Sequence, residues 1–118
     1  MASSPIPTSE LTLTINKFPD EAIVQCGGRI TADTAEKLRD AVKPLLSESK
    51  FVVLDLNHVS YMDSSGLGTI VGLSVSAKVA GSQLKLIHLN ERLKELFSLT
   101  RLGEFLTEGR DPETILPP

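Results

Sequence analysis

The chain has 118 residues, 41% of them apolar, with a formal net charge of −3 and a single cysteine. That length supports one domain with a core of its own, and an acidic balance without any Lys/Arg run argues against direct binding of nucleic acid. One cysteine cannot close an internal disulfide, no apolar run approaches a membrane span, and the opening Met1-Ala2-Ser3-Ser4-Pro5 has no leader pattern, so a cytoplasmic protein away from membranes is expected.

Residues 1–9 are rich in Ser, Pro and Thr and read as a flexible tail, followed by a domain over 10–108 and a second tail over 109–118. Leu11-Thr12-Leu13-Thr14-Ile15 alternates strictly, as a half-buried strand does. Pro19-Asp20 turns the chain and Ala22 to Cys26 supplies a second strand, which predicts a hairpin that Gly27-Gly28 ends or bulges. Asp33 and Glu36 have the spacing of a capping box, and Ala35, Leu38, Val42 and Leu45 then keep to one helical face, with Pro44 kinking or ending that helix.

Phe51 to Leu56 is apolar but for Asp55, the pattern of a central strand buried on both faces. Leu67, Ile70, Val71, Val75 and Val79 predict the core face of a second helix, which Gly81 stops. Leu84, Leu86, Ile87 and Leu89 make a further strand, and Asn90 caps a third helix carrying Leu93, Leu96 and Phe97. Residues 102–106 read as a turn and a last short helical or extended piece. Strands alternating with helices give the fold class: α/β, with helices packed on a mixed, mostly parallel sheet of four to five strands.

The chain is organised around Asp63-Ser64-Ser65-Gly66-Leu67-Gly68, the turn between the central strand and the second helix. Ser64 or Ser65 stands where a helix N-cap belongs, and Gly66 and Gly68 leave the first turn bare enough for close approach. Along the helix a second stripe, Ser65, Thr69, Gly72 and Ser76, carries only small side chains. A solvent face is usually filled with Lys and Glu, so this smooth stripe with Gly68 reads either as a docking face or as close packing inside the domain.

Candidate chemistry is sparse. The nucleophiles are Ser64, Ser65 and Cys26, and the bases are His58 and His88. No Gly-x-Ser-x-Gly elbow is present, His58 reads as a surface loop residue and His88 as a partly buried strand residue. Two histidines without further ligands at suitable spacing make no metal site, and the turn lacks the Lys of a phosphate-binding loop. The reading is a non-enzyme that needs no cofactor. Phosphorylated, Ser64 would carry about −1.5 to −2 charges, which a helix N-terminus tolerates but a partner fitted to a bare turn does not. Like-charge contact costs several kcal/mol, so roughly a hundredfold change in affinity is expected.

At these residues the sequence resembles the STAS domain family, and within it the stand-alone bacterial anti-sigma factor antagonists. Phe51–Leu56 leading through Val59-Ser60-Tyr61-Met62 into the Asp63–Gly68 turn is similar to the family signature, Leu93-Lys94-Glu95-Leu96-Phe97 to its closing helix, and Gly28 with Thr34–Leu38 to its first helix. The resemblance implies a small α/β domain that binds an anti-sigma factor of serine kinase type and frees a sigma factor. The kinase ends the interaction by phosphorylating the first hydroxyl residue after the motif Asp, here Ser64, and a serine phosphatase resets it. Asp63, Ser65 and Gly66 would shape the loop, and Gly68, Thr69, Gly72 and Ser76 would meet the partner. The chain departs from the family at Gly28-Arg29-Ile30-Thr31, where a pattern like Gly-Glu-Leu-Asp is usual. That departure favours the alternative of a constitutive STAS scaffold or transporter-complex subunit; a nucleotide or lipid in the turn is a further one. A monomer or weak dimer is expected, with an exposed first strand available for edge pairing.

Overall fold

The computed structural model describes residues 10–100 and 107–108. Strand β1 (Leu11–Lys17) and strand β2 (Glu21–Ile30) form the expected antiparallel hairpin, with Leu11 opposite Gly28 and Lys17 opposite Ala22. Helix α1 (Ala35–Glu48), strand β3 (Phe51–Met62), helix α2 (Ser64–Ala80), strand β4 (Gln83–Ile87), helix α3 (Glu91–Thr100) and the two-residue strand β5 (Thr107–Glu108) follow in order. The five strands lie in chain order, β1-β2-β3-β4-β5, with every pair after the first parallel.

That order decides where the helices go. Parallel crossovers are right-handed almost without exception, and here each steps the same way along the sheet, so successive helices stack on one face. Register confirms it: Ala22, Val52 and Leu84 lie side by side, as do Val24, Leu54 and Leu86, and these six join one core with Leu38, Val42, Leu67, Ile70, Leu93 and Phe97 from the helices. Residues one step along each strand point to the other face, where Val53 and Ile87 form a small separate cluster with Ile23.

Several expectations are corrected. The Asp33/Glu36 capping box does not form: the N-cap is Thr34, whose hydroxyl donates to the Arg29 carbonyl at 2.8 Å and accepts from the Thr31 N–H at 2.9 Å, tying the loop into a turn. Pro44 lies inside α1, which ends soon after it at Glu48, as expected. Strand β3 extends six residues beyond Leu56, because its second half pairs with the end of β2, Gly28 against Val59 and Ile30 against Met62. Gly27-Gly28 therefore bulges the strand rather than ending it, and Gly28 sits at φ 105, where a side chain would run into the Glu10 carbonyl. His58 lies within β3, not in a loop, and His88 lies just beyond β4 at φ 60 with its Nδ1 2.8 Å from Asp55 Oδ1.

The core face of α2 also differs. Leu67 and Ile70 are buried as expected, but the face continues through Leu73, Ser74 and Ala77, while Val75 is 53% and Val79 85% exposed. An i to i+4 series overshoots a full turn by about 40° at each step, so the valines wind off the core and onto the surface. Gly81 ends the helix in the left-handed region at φ 80, and Asn90 caps α3 by accepting the Leu93 N–H at 2.8 Å. The reading of 102–106 and both predicted tails, 1–9 and 109–118, fall outside the described residues.

Candidate functional site

Strand β3 delivers the turn. Met62 is buried beneath it, and the Asp63 N–H donates to the Ile30 carbonyl at 3.3 Å, pinning the turn to the end of β2. The residue that caps α2 is Asp63 rather than Ser64 or Ser65: its Oδ1 accepts the Gly66 N–H at 2.9 Å and its carbonyl accepts the Leu67 N–H at 3.0 Å. A carboxylate here satisfies an orphan donor and complements the positive end of the helix. Gly66 is buried because α2 abuts β2; a Cβ on it would overlap the Ile30 carbonyl oxygen.

With Asp63 doing the capping, Ser64 is released. It is the first residue of α2, it is exposed, and its hydroxyl has no hydrogen-bond partner among the described residues. Ser65 is exposed too, and its carbonyl accepts the Thr69 hydroxyl at 2.8 Å, which accounts for Thr69 being buried to 8% exposure. At both Gly68 and Gly72 a Cβ would meet nothing within 4 Å. Internal packing does not require glycine at either position.

Ser65, Gly68, Thr69, Gly72 and Ser76 share one wall of a groove of about 510 Å³ between α2 and α1. The opposite wall carries Arg39 and Lys43, which sequence reasoning missed. Their signal was present, since Ala35, Arg39 and Lys43 repeat at i, i+4 beside the core stripe of α1, but only the pairing of α1 with α2 shows what they face. Beside the turn, the Arg29 guanidinium lies 4.2 Å from the centre of the Tyr61 ring.

The other candidates do not assemble into a reactive centre. His58 sits opposite Gly27, and the stretch of β3 from His58 to Met62 alone spans about 13 Å, so it is out of reach of Ser64. Burial, with the nearby Asp55 charge adding to it, pushes the Cys26 thiol up to about 12, which leaves it protonated and inert. Among the described residues no three His, Cys, Asp or Glu side chains gather as a metal site would need, and no helix is long and apolar enough to cross a membrane.

The sequence profile of the STAS domain matches residues 12–114. The chain belongs to the STAS family. This STAS domain is 34% identical over 96 residues to the anti-sigma-B factor antagonist of Bacillus subtilis, covering 81% of this chain and 88% of the relative. It is 38% identical over 88 residues to the anti-sigma-B factor antagonist of Listeria monocytogenes, covering 74% and 77% of the two chains. Its fold is similar to that of the anti-sigma factor antagonist SpoIIAA in its unphosphorylated form, with a TM-score of 0.72 at 16% identity over 88% of this chain and 93% of the other. The phosphorylated form of SpoIIAA matches with a TM-score of 0.67 at 16% identity, covering 88% and 96%.

Proposed function

We propose that this STAS domain is an anti-sigma factor antagonist whose hold on an anti-sigma factor of serine kinase type is switched off by phosphorylation of Ser64. The observation that carries this is the free, exposed hydroxyl of Ser64 at the first position of α2, made available because Asp63 caps the helix instead. The names of the curated relatives support the antagonist role, and the two forms of SpoIIAA support a phosphorylation step. Gly68, Thr69, Gly72 and Ser76 receive the partner next to the serine. Asp63 and the phosphate together place roughly three negative charges at the mouth of the docking face, and the partner is repelled. Binding frees a sigma factor, a serine phosphatase restores the hydroxyl, and the protein works in the cytoplasm as a monomer or weak dimer.

A constitutive scaffold or transporter-complex role would use the same groove with Ser64 unmodified; the Gly28-Arg29-Ile30-Thr31 loop is what favours it. The two separate on incubation with the cognate kinase and ATP, followed by intact mass of wild type and Ser64→Ala. One phosphoryl group on wild type and none on the variant is expected. Equal uptake by both would remove Ser64 from the mechanism, and no uptake by either would favour the constitutive role.

A further inference from the structure

The groove between α1 and α2 has a charge arrangement that specifies what fits it. Helix α1 carries Glu36, Lys37, Arg39, Asp40, Lys43 and Glu48, yet of these only Arg39 and Lys43, both cations, line the groove. They stand one turn apart, about 6 Å along the axis, and neither has an ion-pair partner among the described residues. The facing wall offers none, because α2 contains no carboxylate and its single charge is Lys78. In a chain of net charge −3 this trough is locally cationic.

The trough does not stop there. A second groove, of about 290 Å³, shares Lys43 and Ser76 with the first and continues past Leu46 to the exposed Val75 and Val79. The combined channel therefore runs beside α2 from Ser65 to Ala80, with Arg39 along its first part, Lys43 where the two grooves meet, and Leu46, Val75 and Val79 beyond. Fifteen helical steps make it about 22 Å long, which a helix of about four turns would fill. Two helical walls form the seam into which a third helix packs, and the open space at Gly68 and Gly72 lets a backbone come close.

We infer that this channel receives an amphipathic helix of the anti-sigma factor, with carboxylates in the half that meets Arg39 and Lys43 and apolar side chains in the half that covers Val75 and Val79. The inference rests on the antagonist reading and adds the chemistry of the partner. It also gives the switch a physical target. A phosphate on Ser64 stands next to Ser65, where the channel opens, so the partner's carboxylates that Arg39 and Lys43 attract are carboxylates that the phosphate repels.

The test is calorimetric titration of the purified cognate anti-sigma factor into the full chain, for wild type, Arg39→Glu/Lys43→Glu, Val75→Ser/Val79→Ser and Ser64→Asp, with thermal melts to show that each variant folds. All of these side chains except Ser64 lie outside the turn, and none is in the core. The expected result is binding weakened at least about tenfold by the charge reversal, weakened also by the valine pair, and a salt dependence that flattens when Arg39 and Lys43 are reversed. If both groove variants bind as wild type does while Ser64→Asp is weakened, the helix assignment is overturned and the antagonist reading stands. If wild type does not bind, both fall. A dimer of this chain that the charge reversal disperses would give the channel to a second copy and overturn the assignment.

Discussion

Replacing Gly66 by Ala puts one methyl group where α2 meets the end of β2. The added Cβ overlaps the Ile30 carbonyl oxygen and also comes within 2.9 Å of Ile30 Cγ2. Backbone cannot swing aside as a flexible side chain can, so α2 must lift away from β2, and the Asp63 N–H bond to the same Ile30 carbonyl stretches. Ala gains up to about 1 kcal/mol over Gly in helix propensity. Against it stand overpacking of about 1–3 kcal/mol and about 1 kcal/mol for the damaged hydrogen bond. The net is a loss of about 2 kcal/mol, or a melting temperature about 8 °C lower for a domain of this size. Gly72→Ala is the internal control: the same chemical change, in open space at an exposed position of the same helix, should stabilise by about 0.5–1 kcal/mol. Urea unfolding of the three proteins reads both signs. A Gly66→Ala protein as stable as wild type would refute the contact between α2 and β2 from which this site is built.

Asp63→Ala removes the cap of α2 and should cost about 1 kcal/mol in urea unfolding, whereas Ser64→Ala, which removes no hydrogen bond among the described residues, should change stability by less than about 0.5 kcal/mol. The folded pKa of Cys26 is raised from 9.0 to about 12, so the folded state holds its proton where the unfolded state has lost it; stability should be full below about pH 9 and fall towards pH 12. Cys26→Ala should flatten that alkaline limb, and native protein at pH 8 should resist a thiol-alkylating reagent that labels the unfolded chain at once. Asn90→Ala leaves α3 without the acceptor for the Leu93 N–H and removes the donor to the Val59 carbonyl, for a loss of about 1–2 kcal/mol measured the same way.

Much of this was legible in the sequence, and the misses have specific causes. The strict alternation of Leu11 to Ile15, the apolar run Phe51 to Leu56 and the stop at Gly81 each follow from local pattern, and the structure has them. The extension of β3 to Met62 was not legible, because Asn57, His58 and Ser60 are exposed polar residues held in the strand by pairing with β2. Ser64 and Asp63 are both good caps on composition; the choice between them depends on where α2 begins, which is fixed by the Asp63 contact with Ile30 across the sheet. The valines at 75 and 79 fit an i, i+4 template that drifts off the core face within three turns. The candidate site follows the same division. Ser64, Gly68, Thr69, Gly72 and Ser76 could be named from spacing, whereas Arg39 and Lys43 needed α1 laid against α2.

The central claim is that one phosphate at the start of α2 empties the adjacent channel. Its most direct measurement is the affinity of the cognate anti-sigma factor for protein carrying phosphate only on Ser64, set beside unmodified protein in the same buffer. Binding weaker by roughly a hundredfold on phosphorylation is the predicted result; equal affinity of the two forms would contradict it.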